Sequence, residues 1–397
     1  MRQRSLEIGI VSIWHVRGIT MVARQLAAAL ESASSRTHVF ARWEAERFFN
    51  GPPVSHPRVV DCGQDPDPSL IVAWALERRL DAVLFCEVHP NDWKRVFALR
   101  TAGVRVFATE TLDLLRAEAI PHYGELDGMV HTAFFTAEAF RALHPRLPAV
   151  TVPWGIPPAP CASPVAGMRA RRRVVHVSGW GGLGNRKNTD GILRAGRRAA
   201  PPDATLVVYS QVPLDRYGTA LTNAVRGDPS IEIHEGTVPS IALAYVGADL
   251  VLCPSRREGI GLPLLEALGA GVPVLVSQGR LMTNWIVPGE HGIVCPTTVV
   301  RDGMYLPLVS VDDEQLAAAL HAAAAAPRAL ACMAEHVRRD RDVWTWTWQA
   351  AVLRAQLGRL IDEPGYAPDP AWSYVPAWRL AFEERRRQAG ADGARSP

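Results

Sequence analysis

Residues 255–276 have the sequence Ser-Arg-Arg-Glu-Gly-Ile-Gly-Leu-Pro-Leu-Leu-Glu-Ala-Leu-Gly-Ala-Gly-Val-Pro-Val-Leu-Val. The stretch follows an apolar run, Leu250–Cys253, that is typical of a buried strand, and it enters a short helix through a glycine-containing loop. Gly259 and Gly261 have no side chains, so a ligand can lie directly against the N–H groups of this loop. Pro263 suits the start of a helix, and the positive end of that helix then points towards the loop.

Two carboxylates frame this loop. Glu258 lies at its start, and Glu266 follows in the first turns of the predicted helix. Carboxylates are poor ligands for phosphate, but they are good acceptors for the hydroxyl groups of a sugar. An anion site beside two such acids therefore indicates a binding site for a nucleotide-activated sugar.

The segment from Glu258 to Pro263, together with Glu266-Ala267, resembles the E-x7-E motif of retaining family-4 glycosyltransferases. Three further segments resemble that family in the same order along the chain, and they are Pro153–Ile156, Val174–Asn188 and Ala248–Ser255. The N-terminal third matches in outline only. The resemblance implies an α/β protein with the GT-B fold, in which two Rossmann-like lobes face a central cleft.

Short apolar runs alternate with helical patterns along the chain, which favours parallel sheets with helices on both faces. A proline-rich stretch without apolar periodicity interrupts this alternation. We therefore predict an N-terminal, acceptor-side lobe over residues 1–156, a linker over 157–173 and a C-terminal, nucleotide-sugar-binding lobe over 174–364. The resemblance implies that the last helices, from about 365 to 397, cross back onto the N-terminal lobe.

The bulk composition excludes several classes of protein. The formal charge is +3, from 43 basic and 40 acidic residues, which is too balanced for a nucleic-acid partner. The six cysteines lack the close-pair spacing of zinc and redox motifs. No apolar run approaches the ~18–20 residues of a membrane span. We therefore expect a cytoplasmic protein with at most peripheral membrane contact.

A second glycine-rich stretch, residues 179–184, has the form G-x-G-x-x-G directly after a predicted strand. This form is typical of NAD-binding proteins, but those proteins place an acid at the end of the second strand to bind the ribose. Here the second strand ends Tyr209-Ser210-Gln211, without an acid, and two cations, Arg186 and Lys187, follow the glycines. The pattern favours a diphosphate site, and an NAD-dependent enzyme remains the weaker alternative.

The resemblance assigns a role to each matching residue. Lys187, with Arg186, would hold the donor diphosphate, Glu266 the ribose, and Glu258 the donor sugar. The predicted donor-binding set is Gly18, Gly181, Gly182, Arg186, Lys187, Glu258, Gly259, Ile260, Gly261, Leu262 and Glu266. The predicted catalytic set is Lys187, Arg186, Glu258 and Glu110.

A glycosidase also uses two carboxylates, but it places them on opposite sides of the scissile bond. Here one acid lies at a helix start and the other in a glycine loop with cations nearby, which favours an anionic leaving group. Asp65-Pro-Asp67-Pro imitates the D-x-D metal motif of another glycosyltransferase fold, but its prolines indicate a surface turn. We therefore predict no metal and no cofactor, with the nucleoside-diphosphate sugar as co-substrate.

On the N-terminal lobe, the loop that contains Gly18 and the ends of two later strands supply the candidate acceptor residues. These are His15, Arg17, His89 and Glu110. Many family members have a histidine near the position of Glu110, so the acid indicates a contact with a hydroxyl or an amine instead. A small molecule, a glycan and a lipid-linked sugar are all compatible acceptors. A non-catalytic nucleotide-sugar-binding protein on the same fold is the alternative from another functional class.

Overall fold

A computed structural model of the chain describes residues 4–14, 18–42, 59–61, 67–113, 115–157, 171–179, 185–199, 203–238, 240–301, 306–366 and 377–393. The chain divides into two compact units. The N-terminal unit consists of Met1–Gly155 and Trp346–Tyr374, and the C-terminal unit consists of Ile156–Thr345 and Val375–Pro397.

The N-terminal unit is built on a parallel sheet whose described strands have the order β3-β2-β1-β4-β5-β6-β7. These strands are β1 (Glu7–Ile13), β2 (Arg36–Arg42), β3 (Val59–Asp61), β4 (Ala82–Cys86), β5 (Arg105–Thr109), β6 (Gly128–His131) and β7 (Ala149–Thr151). The connecting helices are α1 (Gly18–Ser32), α2 (Pro68–Glu77), α3 (Asp92–Thr101) and α4 (Phe134–Leu143), with a 3-10 helix over Ala117–Glu125.

The middle of this sheet is apolar on both faces. Every residue of β4 is buried, because a central strand in a parallel sheet is covered by helices on either side. The alternation of apolar runs with helical patterns in the sequence thus corresponds to alternating strands and helices. The predicted α/β class is confirmed for this unit.

The C-terminal unit repeats the arrangement, with a parallel sheet of order β10-β9-β8-β11-β12-β13. Its strands are β8 (Arg172–Gly179), β9 (Ala204–Ser210), β10 (Ile231–Glu235), β11 (Leu250–Cys253), β12 (Val274–Ser277) and β13 (Gly292–Cys295). The helices between them are α5 (Thr189–Ala199), α6 (Thr219–Arg226), α7 (Ala242–Tyr245), α8 (Leu262–Gly269) and α9 (Arg280–Thr283).

Further elements follow the second sheet. A two-stranded antiparallel hairpin consists of β14 (Thr298–Arg301) and β15 (Leu308–Ser310). The later helices are α10 (Asp313–Ala325), α11 (Pro327–Arg339), α12 (Gln349–Asp362) and α13 (Ala377–Gly393). Two additional 3-10 helices span Leu214–Tyr217 and Arg341–Trp344.

The C-terminal helices group differently from the prediction. Helix α12, which the sequence had assigned to the second lobe, belongs to the N-terminal unit. There Arg354 of α12 donates to the backbone oxygen of Arg4, and Arg105 donates to the backbone oxygen of Leu360 at 3.1 Å. The buried leucines on one side of α12 explain the grouping, because they need an apolar surface to cover them.

Helix α13, which was expected to pack on the N-terminal lobe, belongs instead to the C-terminal unit. Phe382 is buried against His291 and Trp344, with ring centroids 5.5 Å and 6.0 Å apart. Arg385 donates to Asp340 at 2.6 Å. Most of the predicted linker, 157–173, lies outside the described residues.

No single helix in the described parts of the chain has the length and hydropathy of a membrane span. Helices α10 and α11 meet those criteria only when they are taken together, and they are bent by 89° at their junction.

Gly292 is required by the pairing of β12 with β13, where it lies opposite Val274. A Cβ atom added at Gly292 would lie 2.1 Å from the backbone oxygen of Val274, which cannot move without breaking the sheet. We expect Gly292→Ala to destabilise the C-terminal unit by about 3 kcal/mol. This value is near the upper end of the usual range for substitutions that add atoms to a packed site. Differential scanning calorimetry measures the change.

Gly227→Ala is the matched control for this substitution. Gly227 lies in the same unit, has a φ of −95°, and has no atom within 4 Å of the added Cβ. The control should unfold like the wild type. Equal unfolding temperatures for the two variants would contradict the packing of β13 described here.

Candidate active site

The strand order of the C-terminal sheet reverses between β8 and β11, since β8 continues to β9 on one side and is joined by β11 on the other. Parallel α/β sheets bind ligands at the carboxyl ends of the two strands that flank such a reversal. The segment after β8 contains Lys187, and the segment after β11 contains Glu258. The fold therefore brings the predicted cation and the first predicted acid to one place.

Lys187 and Glu258 form an ion pair between Nζ and Oε1. Both side chains are largely buried, with exposed fractions of 12% and 6%. Ser255 Oγ donates to the same Glu258 oxygen at 2.9 Å. The backbone also joins the two segments, because the amide of Arg256 donates to the oxygen of Arg186 at 2.7 Å. The pair is thus held by both side-chain and main-chain contacts.

Opposing electrostatic effects act on Glu258. Burial alone would raise the pKa of its carboxyl group, but the positive charges of Lys187 and Arg186 outweigh burial and hold this pKa below its ordinary value. Glu258 is therefore ionised at neutral pH and serves as a hydrogen-bond acceptor only.

The second acid, Glu266, lies one turn into α8. The helix is preceded by Gly261 in the left-handed region, with a φ of 84°, and Pro263 occupies the first turn. Tyr245 Oη donates to Glu266 Oε2 at 2.8 Å. Burial raises the pKa of Glu266 to about 7, although the Tyr245 hydroxyl and the charge of Lys187 oppose the rise. Glu266 thus titrates near neutral pH, unlike Glu258.

The loop between the two acids is held by a side-chain hydrogen bond to its backbone. Gly259, Ile260 and Gly261 are buried, and the carbonyl of Ile260 accepts from Trp285 Nε1 at 3.0 Å. Leu262 is half-buried as the first residue of α8. The loop is therefore a rigid wall beside Glu258 rather than a free surface turn.

Arg186 is half-buried and contributes to the low pKa of Glu258. On the other side of the same segment, Asp190 contacts Asn185 and lies 3.5 Å from Arg256. These contacts tie the start of α5 to the loop after β11. The predicted glycines Gly181 and Gly182 lie outside the described residues.

The sheet of the N-terminal unit has its own strand reversal, between β1 and β4. Gly18 is exposed at the start of α1 after the first of these strands, whereas the predicted residues His15 and Arg17 fall outside the described part of the chain. His89, after β4, is exposed, and its backbone amide donates to Asp92 at 2.9 Å.

Glu110 follows β5 and is 3% exposed. Its carboxyl group accepts from the backbone amide of Val88 and is hydrogen-bonded to Tyr123. Burial raises the pKa of Glu110 to about 8, and the nearby charge of Glu87 adds to the rise. Glu110 is therefore mostly protonated at neutral pH, so its carboxyl group carries a proton that it can donate.

Several residues at these positions were missed by sequence reasoning. Tyr245 and Ser255 contact the two acids of the C-terminal unit. In the N-terminal unit, buried Asp92 pairs with Arg42 at 2.5 Å and with Arg95 at 2.7 Å. The three-residue spacing of Asp92 and Arg95 on a helix was the one available signal, since it places both on one side of α3.

Three side chains in the described residues have the composition of a metal site, and they are Glu290, His291 and Asp340. Arginines already neutralise this cluster. Arg339 Nη2 lies 3.0 Å from Glu290 and 2.8 Å from Asp340, and Arg385 Nη2 lies 2.6 Å from Asp340. The cluster is an ion-pair network that anchors α13, and the charges of its arginines disfavour a bound cation.

The ion pair makes a direct prediction for stability. Lys187→Met should destabilise the C-terminal unit by about 3 kcal/mol at neutral pH, because it leaves Glu258 charged and buried without its main partner. The double variant Lys187→Met/Glu258→Gln should recover most of this loss. Urea unfolding of the wild type, of Lys187→Met, of Glu258→Gln and of the double variant, followed by tryptophan fluorescence, measures the coupling.

The sign of the pH dependence follows from the lowered pKa of Glu258. A carboxyl group whose pKa is lowered on folding contributes stability above its unfolded pKa, and this contribution is lost as the pH falls. The difference between wild type and Lys187→Met should therefore persist above the ordinary pKa of 4.5 and shrink as the pH falls below it. A constant difference, or additive single and double variants, would contradict the pairing.

The C-terminal unit contains a segment that is similar to known sequences. Residues 171–323 match the sequence model of glycosyl transferases group 1. A curated relative, the lipopolysaccharide core biosynthesis mannosyltransferase LpcC of Rhizobium leguminosarum bv. viciae, is 30% identical over 128 residues. That match covers 30% of this chain and 36% of the relative, so the chain spans about a third of the length of the relative it matches.

Solved structures match over most of the chain. Sucrose-phosphate synthase from Thermosynechococcus elongatus has a TM-score of 0.68 at 18% identity, covering 89% of this chain and 98% of that one. The pneumococcal O-GlcNAc transferase GtfA, in complex with UDP and GlcNAc, has a TM-score of 0.69 at 10% identity, covering 91% and 100%. Anabaena HepE, in complex with UDP, has a TM-score of 0.68 at 13% identity, covering 89% and 99%.

At these identities the likeness of the structures concerns the fold, and it confirms the predicted GT-B fold. The match to the sequence model covers the segment that contains Lys187, Glu258 and Glu266. The chain thus has the GT-B fold, and its C-terminal unit carries a segment similar to glycosyl transferases group 1.

Proposed function

We propose that this protein is a retaining glycosyltransferase that moves a sugar from a nucleoside-diphosphate sugar to an acceptor hydroxyl. The observation that carries the proposal is the convergence of Lys187, Glu258 and Glu266 at the strand reversal of the C-terminal sheet. A fixed cation beside two acids of different protonation suits a ligand that has both an anionic and a hydroxyl-bearing part.

Lys187 and Arg186 have the chemistry to hold the donor diphosphate. Negative charge grows on the departing phosphate as the bond to the sugar breaks, and fixed cations stabilise that state more than the ground state. The ammonium group of Lys187 has three N–H donors, so its contact with Glu258 leaves two for phosphate oxygens. These side chains would take the place of a metal ion, and we propose that neither a metal nor a cofactor is needed.

The two acids would bind different parts of the donor. Glu266 would accept hydrogen bonds from the ribose hydroxyls, and Glu258 would contact the donor sugar together with the amides of Gly259, Ile260 and Gly261. The leaving phosphate would assist the acceptor hydroxyl, so that no protein nucleophile is required and the anomeric configuration is retained.

The acceptor would be bound by the N-terminal unit, where Gly18, His89 and Glu110 are the described candidates. The protonated carboxyl group of Glu110 can donate a hydrogen bond to an oxygen of the acceptor substrate, and it can also accept one from a hydroxyl group of that substrate. A curated relative acts in lipopolysaccharide core biosynthesis, which favours a glycan or lipid-linked acceptor over an unrelated small molecule. We propose that the protein acts in the cytoplasm with at most peripheral membrane contact.

A ligand panel tests the donor site. UDP, GDP, ADP, dTDP and NAD are each added to the wild type and to Glu266→Ala, and thermal unfolding is followed. We expect one nucleoside diphosphate to stabilise the wild type and not the variant, because a ligand that binds the folded state raises its stability. Glu335→Ala is the control, since Glu335 is exposed on α11 of the same unit, and it should respond like the wild type.

Turnover then separates an enzyme from a binding protein. Nucleotide sugars with the base found in the panel should be hydrolysed slowly without acceptor, and Lys187→Ala should lower this rate about 100-fold. NMR of the transfer product should show the anomeric configuration of the donor. Stabilisation by NAD alone would favour the dehydrogenase alternative, and binding without turnover would favour the non-catalytic one.

The raised pKa of Glu266 predicts the pH dependence of donor binding. Only the ionised carboxylate accepts two ribose hydroxyls, so binding should be full above the pKa of about 7 and weaken as the pH falls through it. We expect the affinity for the nucleotide sugar to be about tenfold lower at about pH 6 than at about pH 8. Isothermal titration calorimetry measures it.

Glu266→Gln provides the comparison, because its amide does not titrate. This variant should bind more weakly at the higher pH and show a nearly flat profile. If the affinity of the variant depended on pH as steeply as that of the wild type, Glu266 would not be part of the binding site.

A further inference from the structure

A chain of buried polar side chains lies behind the donor site in the C-terminal unit. His176, on β8, is 1% exposed. Its Nδ1 lies 2.9 Å from the backbone oxygen of Leu252, and its Nε2 lies 3.0 Å from Thr189 Oγ1. Thr189 Oγ1 lies 2.9 Å from Ser178 Oγ, which in turn lies 2.7 Å from the hydroxyl of Tyr217.

The protonation of His176 follows from these partners. Burial lowers the pKa of its imidazole to about 4, so the ring is neutral at physiological pH. The carbonyl of Leu252 only accepts, so Nδ1 carries the proton, and the unprotonated Nε2 lies within hydrogen-bond distance of the Thr189 hydroxyl. Each ring nitrogen thus has a polar partner, and the two contacts fix the ring orientation.

The two partners of His176 belong to the two segments that form the site. Leu252 is in β11, which leads into the loop of Glu258, and it is also the strand partner of His176. Thr189 is the first residue of α5, two positions after Lys187. The imidazole thus joins the segment that contains Lys187 to β11, the strand that leads into the loop of Glu258.

Packing alone does not require a histidine here. The neighbouring residues of β8, Val175 and Val177, are buried and apolar, and an apolar side chain avoids the desolvation penalty of a buried imidazole. The imidazole adds two polar contacts, and these fix the distance between the Leu252 carbonyl and the Thr189 hydroxyl.

We infer that His176, acting through Thr189, is a positioning residue that holds Lys187 in register with Glu258 for donor cleavage. The inference deepens the proposed function and rests on it. His176 does not touch the donor. It sets the place of the cation that stabilises the leaving diphosphate, so its loss should affect turnover more than binding.

Thr189→Val removes the partner of His176 Nε2 while keeping the shape of the side chain. We expect kcat for donor hydrolysis to fall about tenfold, in line with the loss of one buried hydrogen bond, while the KM for the nucleotide sugar changes less than about twofold. Thr189→Ser keeps the hydroxyl and should restore kcat. Both constants are measured on the full chain with the nucleotide sugar identified in the panel.

Thr222→Val is the matched control, since Thr222 is fully buried in α6 of the same unit and donates to the backbone oxygen of Gly218 at 3.1 Å. It should lower the unfolding temperature about as much as Thr189→Val and leave kcat within about twofold. Tyr217→Phe, at the far end of the chain, should fold normally and lower kcat less than Thr189→Val.

Three outcomes would overturn the inference. Equal kcat values for Thr189→Val and Thr222→Val would reduce His176 to a structural role. A change in KM alone would make Thr189 part of donor binding instead of positioning. A wild-type protein that neither binds nor cleaves a nucleotide sugar would remove the proposed function first, and the positioning role with it, so the two failures are distinguishable.

Discussion

The buried ion pair between Lys187 and Glu258 is the contact on which the site depends. Taking two charges out of water is costly, and their attraction offsets that cost only when geometry and additional hydrogen bonds are favourable. The hydrogen bond from Ser255 and the main-chain link between Arg186 and Arg256 supply those conditions. The parallel sheet supplies the rest, because its strand reversal delivers the two segments to the same edge. The ion pair is thus a product of strand order as much as of residue type.

Glu258, Glu266 and Glu110 have the same side chain and different protonation. Glu258 lies beside two cations and stays ionised, whereas burial moves the pKa of Glu266 to about 7 and that of Glu110 to about 8. One carboxyl group therefore only accepts hydrogen bonds, one changes its state near neutral pH, and one carries a proton. Such separation of pKa values by environment is common where carboxyl groups have different tasks. Sequence spacing alone indicates none of these differences.

The sequence predicted the features that depend on local pattern. The alternation of apolar runs with helical patterns indicated parallel sheets, and the glycines and acids of residues 255–276 identified the loop that the structure places at the strand reversal. Contacts between distant elements were not predictable. The contact of His176 with Leu252 and the main-chain bond of Arg256 to Arg186 depend on which strands are neighbours, and the periodicity of the sequence does not give that order. The assignment of α12 failed for the same reason, since a buried stripe shows that a helix is covered but not by what.

The N-terminal unit is assembled from two separate parts of the chain, because α12 belongs to it and the whole of Ile156–Thr345 intervenes. During synthesis, the first part leaves the ribosome long before the helix that completes it. The apolar surface of α1 and β7 that α12 covers then stays exposed while the C-terminal unit is made. Exposed apolar surface of this kind makes a nascent chain prone to aggregate. The topology therefore orders folding in time: the N-terminal unit, though translated first, reaches its final packing only after most of the chain has emerged.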